Sequence, residues 1–155
     1  MTLDIETLFA LSSRLAMIGW LLLLFSPKRW EWVLFVAGIA IPALLSTLYG
    51  GLILAFFAGA EGGGFGSLAE VRALFANDAA LLAGWVHYLA FDLAIGAMIA
   101  RRADAAGVTR LVQIPILFFT FMFGPLGFLL FLLTEAGWRG VAKADGAAAK
   151  SGAAS

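Results

Sequence analysis

Three side chains that can exchange protons lie inside one apolar stretch of this chain. His87, Tyr88 and Asp92 belong to the run from Ala79 to Ala100, which is long enough to cross a bilayer. Carboxyl, imidazole and phenol groups are common in proton-transfer sites. An ionisable group in hydrocarbon is costly, so we expect His87 and Asp92 to be functional or bonded to a partner. The structural alternatives are a hydrogen bond from His87 to a backbone carbonyl and an ion pair between Asp92 and Arg14.

The spacing of these residues predicts which of them act together. Tyr88 lies one helical turn before Asp92, so its hydroxyl can donate a hydrogen bond to the carboxylate. Gly84 and Gly96 extend the same row, which leaves room for a neighbouring helix or a flat ligand. His87 lies about 140° from Asp92 around the helix, at ~100° per residue. The imidazole and the carboxylate therefore need partners from different directions.

The composition identifies an integral membrane protein. Hydrophobic residues make up 63% of the 155 residues and charged residues 13%, against ~45–50% and ~25% in soluble domains. The net charge is zero and there is no basic patch, so we expect no nucleic-acid partner. The chain has no Cys and one His, which argues against a metal site within one protomer. We predict no cofactor.

Four apolar segments are long enough to cross a membrane, and they predict an all-α, four-transmembrane-helix bundle over residues 1–134. The predicted spans are about 8–25, 32–57, 79–100 and 111–133. Between the second and third spans, Ser67 and Glu70 form a capping-box pattern, which predicts a short interfacial helix from Ser67 to Asn77. Residues 135–155 are polar and rich in Ala and Gly, and we predict a disordered tail there.

The distribution of Lys and Arg predicts the orientation. The links after the first and third spans carry Lys28, Arg29, Arg101, Arg102 and Arg110. Basic residues close to span ends favour the cytoplasmic side. We therefore predict that both termini lie on the non-cytoplasmic side, in the inner membrane of a bacterium.

Five further residues are predicted to contribute to a ligand site. Arg14 lies inside the first span, where it can extend to the interface or bind an anionic ligand. Tyr49 follows Pro42 in the second span, and Pro125 follows Gly124 in the fourth; broken helices at mid-membrane often form sites. Aromatic side chains suited to a long apolar ligand complete the predicted set: Trp85 and Phe121.

The order of three motifs resembles the abscisic-acid-deficient-type membrane family. These motifs are Glu6-Thr7-Leu8-Phe9, the stretch from Gly84 to Leu93 with sequence GWVHYLAFDL, and Phe123-Gly124-Pro125-Leu126-Gly127. The resemblance extends from Glu6 to about Leu133. Plant members of that family are required for making neoxanthin from violaxanthin, and the family comprises small four-span membrane proteins.

The resemblance implies a role in carotenoid metabolism. In the plant conversion a 5,6-epoxide opens and an allene forms, which needs an acid at the epoxide oxygen and a base for a nearby proton. The resemblance thus implies catalytic roles for Asp92 and His87, with Tyr88 as the orienting donor. The alternatives are a non-catalytic carotenoid- or lipid-binding subunit of a pigment–protein complex, and a small proton-coupled transporter that works as a homo-oligomer.

Overall fold

A computed structural model describes residues 4–26, 31–56 and 62–152. Within these ranges every regular element is helical, as the sequence predicts. The basic turn at 27–30 and residues 57–61 lie outside the described residues. The chain divides into two compact units, Met1–Ala94 and Ile95–Ser155.

The first unit contains the N-terminal helices and most of the candidate site. Its elements are α1 (Ile5–Phe25), α2 (Glu31–Phe35), a π-helical turn (Val36–Ala40), α3 (Ile41–Phe56), α4 (Leu68–Phe75) and the first part of α5 (Asp78–Ala105). Three continuous helical stretches are long and apolar enough to cross a membrane: Ile5–Phe25, Glu31–Ala55 and Asp78–Ala105. This agrees with a membrane protein.

Side chains at the starts of two helices satisfy backbone donors that have no partner within the helix. Asp4 Oδ1 accepts a hydrogen bond from Thr7 N at 2.6 Å at the start of α1. At the start of α4, Ser67 Oγ accepts from Glu70 N at 3.2 Å. In a standard capping box the Glu side chain accepts from the backbone N–H of the N-cap residue, here Ser67. Glu70 Oε2 instead accepts from the preceding residue, Gly66 N, at 2.9 Å.

The second apolar helix widens by one residue just before its proline. Ile41 N donates to Val36 O, five residues back, instead of the usual four. Pro42 has no backbone N–H, and its ring crowds the carbonyl four residues earlier, at Gly38. A π-helical turn moves that carbonyl away from the ring, so α2 and α3 form one continuous stretch with a local distortion.

Buried apolar side chains hold the first unit together. Trp20 and Leu23 of α1, Ala37 of the π-helical turn and Val86 of α5 are each at most 2% exposed. The side chain of Leu93 lies against Gly19, so α5 packs closely on α1 at that level. This packing fixes the face of α5 that is turned towards α1.

The segment of the predicted fourth span is divided into two helices in the second unit. Residues 111–133 form two helices, α6 (Arg110–Phe123) and α7 (Pro125–Gly152), separated at Gly124. Gly124 has φ 38° and ψ −90°, a backbone conformation that L side chains rarely adopt. Pro125 then begins α7, where a missing N–H costs nothing. The predicted fourth span is therefore interrupted at Gly124, where the sequence places the Gly-Pro pair.

The break at Gly124 turns α7 back along α6. A Cβ placed on Gly127 would lie 2.1 Å from Thr120 N and 2.4 Å from Thr120 Cα, so the two backbones touch at this point. α7 extends to Gly152, and the predicted disorder of residues 135–155 stays a prediction. The high helix propensity of the alanines in this stretch explains the continued helical backbone.

A cluster of charged side chains joins the end of α5 to α7. Arg102 forms a bidentate pair with Glu135, which Arg139 also contacts at 3.0 Å. The guanidinium of Arg102 lies 5.2 Å above the Phe131 ring. We call Arg102, Glu135 and Arg139 the charged clamp.

Acidification should weaken the charged clamp. Burial alone would raise the pKa of Glu135, but the bonds and charges of Arg102 and Arg139 hold it below its ordinary value of 4.5. A carboxylate with a lowered pKa stabilises the folded state above its unfolded pKa and loses that effect as the pH falls through the folded value. We expect Glu135→Gln to lower the unfolding temperature in detergent at pH 7, with the difference from wild type shrinking below about pH 4.5. A difference that stays constant with pH would contradict this role.

Candidate functional site

The start of α1 and the first half of α5 line a groove in the first unit. Its volume is about 850 Å³. Its walls are mainly apolar and carry two aromatic rings, with acidic side chains near one end. The residues that line it are Asp4, Ile5, Glu6, Phe9, Asp78, Leu81, Leu82 and Trp85.

The acidic end of this groove lies at the starts of the two helices. Asp4 precedes α1, Glu6 is in its first turn, and Asp78 begins α5. Hydrogen bonds from the side chain and backbone of Thr7 hold the pKa of Asp4 below its ordinary value, so its carboxylate is ionised at neutral pH. This end therefore repels carboxylate or phosphate ligands and favours hydrogen-bond donors such as hydroxyl groups.

Trp85 forms the centre of the groove wall. Its indole Nε1 donates to Ser13 Oγ at 3.1 Å, which joins α5 to α1. Its ring centroid lies 5.7 Å from that of Phe9 and 5.5 Å from that of Tyr88. Because Trp85 is still 40% exposed, a ligand can pack against it.

A second cavity, of about 370 Å³, leads from Trp85 to Tyr88. It shares Leu81 and Trp85 with the larger groove, so the two spaces are adjacent along α5. Gly84 and Phe75 of α4 complete its lining; a Cβ on Gly84 would lie 2.5 Å from the Phe75 ring. The row that begins at Gly84 thus receives a neighbouring helix, one of the two occupants that the sequence allows.

Tyr88 and Asp92 form a hydrogen-bonded pair at the inner end of these spaces. The Tyr88 hydroxyl donates to the Asp92 carboxylate, as the i, i+4 spacing predicts. Asp92 is 7% exposed, and its Oδ2 has no hydrogen-bond partner among the described residues. Tyr88 lines the smaller cavity and Asp92 lines neither. The phenol is therefore the group that can reach a ligand, with the carboxylate behind it.

His87 occupies a different environment from this pair. Its ring is exposed, stacks on Phe91 at 4.6 Å and lies 5.4 Å from the Tyr49 ring. It lines neither cavity of the first unit. The structure therefore brings together Tyr88 and Asp92 from the predicted catalytic set, and it brings His87 to Tyr49 instead.

The remaining predicted ligand residues are dispersed. Arg14 is exposed on α1 and forms no ion pair within the described ranges, so the structural tie to Asp92 is not present there. Phe121 and Pro125 belong to the second unit, on either side of the break at Gly124. Of the five, Trp85 lines the groove.

Sequence reasoning missed the acidic end of the groove. The signal was available, because Asp4 and Asp78 stand at the starts of the first and third apolar helices. These helices run parallel, since Phe9 contacts Trp85 and Leu93 lies against Gly19. Within the described ranges no three His, Asp or Glu side chains are grouped so as to hold a metal ion.

Comparison with known protein families supports the resemblance that the sequence motifs indicate. The model of the ABA DEFICIENT 4-like family matches residues 7–131. The chain belongs to the ABA DEFICIENT 4-like family. Membership in this family indicates a role related to carotenoid and xanthophyll metabolism. No curated protein and no solved structure matches the chain.

The family match includes Phe9 and the α5 residues of the groove together with the Tyr88–Asp92 pair, and it begins after Asp4, Ile5 and Glu6. It also includes the break at Gly124 and the contact between Gly127 and Thr120. The Tyr88–Asp92 pair and the reversal in the second unit thus both lie in the part of this ABA DEFICIENT 4-like chain that matches its family.

Proposed function

We propose that this ABA DEFICIENT 4-like protein binds a xanthophyll in the groove between α1 and α5 and isomerises an epoxide on it. The observation that carries this proposal is the Tyr88–Asp92 pair at the inner end of an aromatic groove. Family membership supports the class of ligand. The protein would act within the inner membrane of a bacterium, where such a ligand is dissolved.

The chemical character of the groove supports a hydroxylated ligand with a long apolar body. Leu81, Leu82 and Trp85 provide the apolar wall, and ligand pockets are typically lined in this way with few polar groups. The carboxylates of Asp4, Glu6 and Asp78 can accept hydrogen bonds from a hydroxyl group at one end. A xanthophyll end ring combines these two properties.

The proposed reaction is a proton transfer within one ligand. Opening the epoxide requires a proton at its oxygen, and forming the allene requires loss of a proton from the adjacent polyene carbon. Tyr88 donates the proton to the oxygen, and Asp92 exchanges protons with Tyr88. The C–O bond at the carbon next to the polyene breaks with its electron pair on the oxygen. The Tyr88 phenolate then accepts the proton lost from the polyene carbon, so the pair is restored and the product has the same atoms as the substrate. A positioned acid–base pair of this kind accelerates a reaction by ~10²–10⁴-fold.

Expression in a host that makes violaxanthin and zeaxanthin tests the proposal. Chromatography with mass spectrometry should detect a new isomer of unchanged mass in cells with the wild-type chain. Tyr88→Phe keeps the aromatic ring but removes the hydroxyl, so the isomer should disappear. His87→Gln, outside both cavities, should leave its yield unchanged. Loss of the isomer in His87→Gln with retention in Tyr88→Phe would contradict the assignment.

A non-catalytic pigment-binding subunit is the second candidate. It is favoured by the fact that Asp92 lines neither cavity. In that case the purified protein carries a xanthophyll whose mass and absorption are unchanged, and Tyr88→Phe alters neither.

Replacing Trp85 should release the bound pigment under either candidate. Trp85→Ala removes an exposed aromatic ring from the groove wall, and loss of an aromatic anchor costs ~2 kcal/mol or more, at least about 30-fold in affinity. Trp138→Ala is the matched control, because Trp138 has nearly the same exposure, 38% against 40%, and does not line the groove. The measurement is the molar ratio of xanthophyll to purified protein. Equal ratios in the two variants would remove the groove as the binding site.

A further inference from the structure

The helices α6 and α7 form the arms of a hairpin whose ends lie at one level. Gln113 and Glu135 are each about 11 residues from Gly124, or ~16 Å at ~1.5 Å per residue. Gln113 Nε2 donates to Asp104 Oδ1 at 2.8 Å, and Glu135 binds Arg102. Because Asp104 and Arg102 are neighbours at the end of α5, both arms begin and end beside the same turn of that helix.

The length of the arms fits half of a membrane. The hydrocarbon core is ~30 Å thick, and an arm of ~16 Å reaches about its midplane. The outer surfaces of both arms are apolar and exposed along their length, as lipid-facing surfaces are. The exposed residues are Leu111, Ile114, Phe118, Met122, Phe123, Leu126, Leu129 and Leu133.

Basic side chains surround the open end of the hairpin. Arg101 at the end of α5 is exposed, and the Arg139 side chain is 67% exposed even though it contacts Glu135. Trp138 beside it is 38% exposed, and Trp is enriched where hydrocarbon meets headgroups. Arginines above an apolar surface are complementary to a leaflet that carries anionic headgroups.

We propose that α6 and α7 form a re-entrant hairpin that enters and leaves the same leaflet, with Arg101 and Arg139 on anionic lipid headgroups. Residues after Glu135 then lie on the same side of the membrane as the link at 106–109. Arg139, Lys143 and Lys150 join the basic residues already on that side, which makes it cytoplasmic. The C-terminal end is therefore cytoplasmic, in contrast to the expectation from the sequence, and the N-terminal end stays on the other side.

Single-cysteine labelling tests the reversal, because the chain has no native Cys. Ala105→Cys reports the link after α5, Gly140→Cys and Ser151→Cys report the end of the chain, and Ala69→Cys in α4 reports the opposite side. A membrane-impermeant maleimide is applied to intact cells and to inverted vesicles. The first three positions should react in inverted vesicles, and Ala69→Cys in intact cells. Reaction of Gly140→Cys and Ser151→Cys together with Ala69→Cys would show a straight crossing and overturn the proposal.

The lipid contact has its own test in nanodiscs. Nanodiscs of phosphatidylcholine alone are compared with nanodiscs that also contain phosphatidylglycerol. The unfolding temperature should rise by several degrees with the anionic lipid, and the double substitution Arg101→Gln/Arg139→Gln should remove the rise. The matched double substitution Arg14→Gln/Arg72→Gln lies outside the second unit and should preserve the rise in unfolding temperature. An equal response in both double variants would exclude a headgroup site at the hairpin. Neither test depends on whether the protein binds or converts a xanthophyll.

Discussion

Asp92→Asn is expected to abolish isomerisation while the pigment stays bound. The substitution keeps the size of the side chain and lets the Tyr88 hydroxyl keep an acceptor, but it removes the group that exchanges a proton with Tyr88. The rate of isomer formation per bound pigment should fall by ~10²–10⁴-fold. Binding should change little, because Asp92 lines neither cavity. Chromatography of pigment extracted from the purified variant measures both quantities.

The matched control for Asp92→Asn is the same chemical change at the acidic end of the groove. Asp78→Asn removes a carboxylate that is proposed to hold the ligand hydroxyl, so it should weaken pigment binding and leave the rate per bound pigment near that of wild type. An unchanged rate in Asp92→Asn would assign Asp92 to packing of the helix. If Asp92→Asn lost both the pigment and the fold, Asp92 would likewise be assigned to packing of the helix. Tyr88→Phe would then be the remaining test of proton transfer.

Gly127→Ala is expected to destabilise the second unit more than the same change at Gly137 or Gly140. The added Cβ would lie 2.1 Å from the backbone nitrogen of Thr120, and a backbone cannot move aside as a side chain can. Overpacking of this kind costs ~1–3 kcal/mol, against a gain of up to ~1 kcal/mol from replacing Gly in a helix. The net result is a lower unfolding temperature in detergent and a more open hairpin.

Gly137→Ala provides the control within the same helix. A Cβ on Gly137 meets no atom within 4 Å, so only the gain in helix propensity acts there. The unfolding temperature should stay constant or rise slightly. If Gly127→Ala behaved like Gly137→Ala, the two arms could not be in contact at Thr120, and the fold-back of α7 would have to be abandoned.

Local features of this fold could be predicted from the sequence. The pair of Tyr88 and Asp92 follows from their i, i+4 spacing, and the cap of α4 follows from Ser67 and Glu70. The separation of His87 from Asp92 follows from the helical angle between them. Each of these depends on a few neighbouring residues, which determine the local geometry by themselves.

Features that depend on distant contacts could not be predicted in the same way. Gly124 and Pro125 indicate a break, but the direction of α7 is decided by the contact at Gly127 and by the bonds of Arg102 and Asp104. Hydropathy measures the apolar character of a segment, and a re-entrant hairpin and a straight span have the same apolar character. The acidic end of the groove could not be predicted for the same reason, because it forms only where α1 and α5 lie side by side.

Turnover by the purified protein tests the central claim most directly. The wild-type chain is reconstituted in nanodiscs with violaxanthin as the only pigment, and the extracted pigments are separated by chromatography and identified by mass. We predict a new isomer of unchanged mass that accumulates with time and is absent with Tyr88→Phe. Violaxanthin that stays bound and unchanged in the wild-type protein would contradict catalysis and leave this ABA DEFICIENT 4-like chain as a pigment-binding protein.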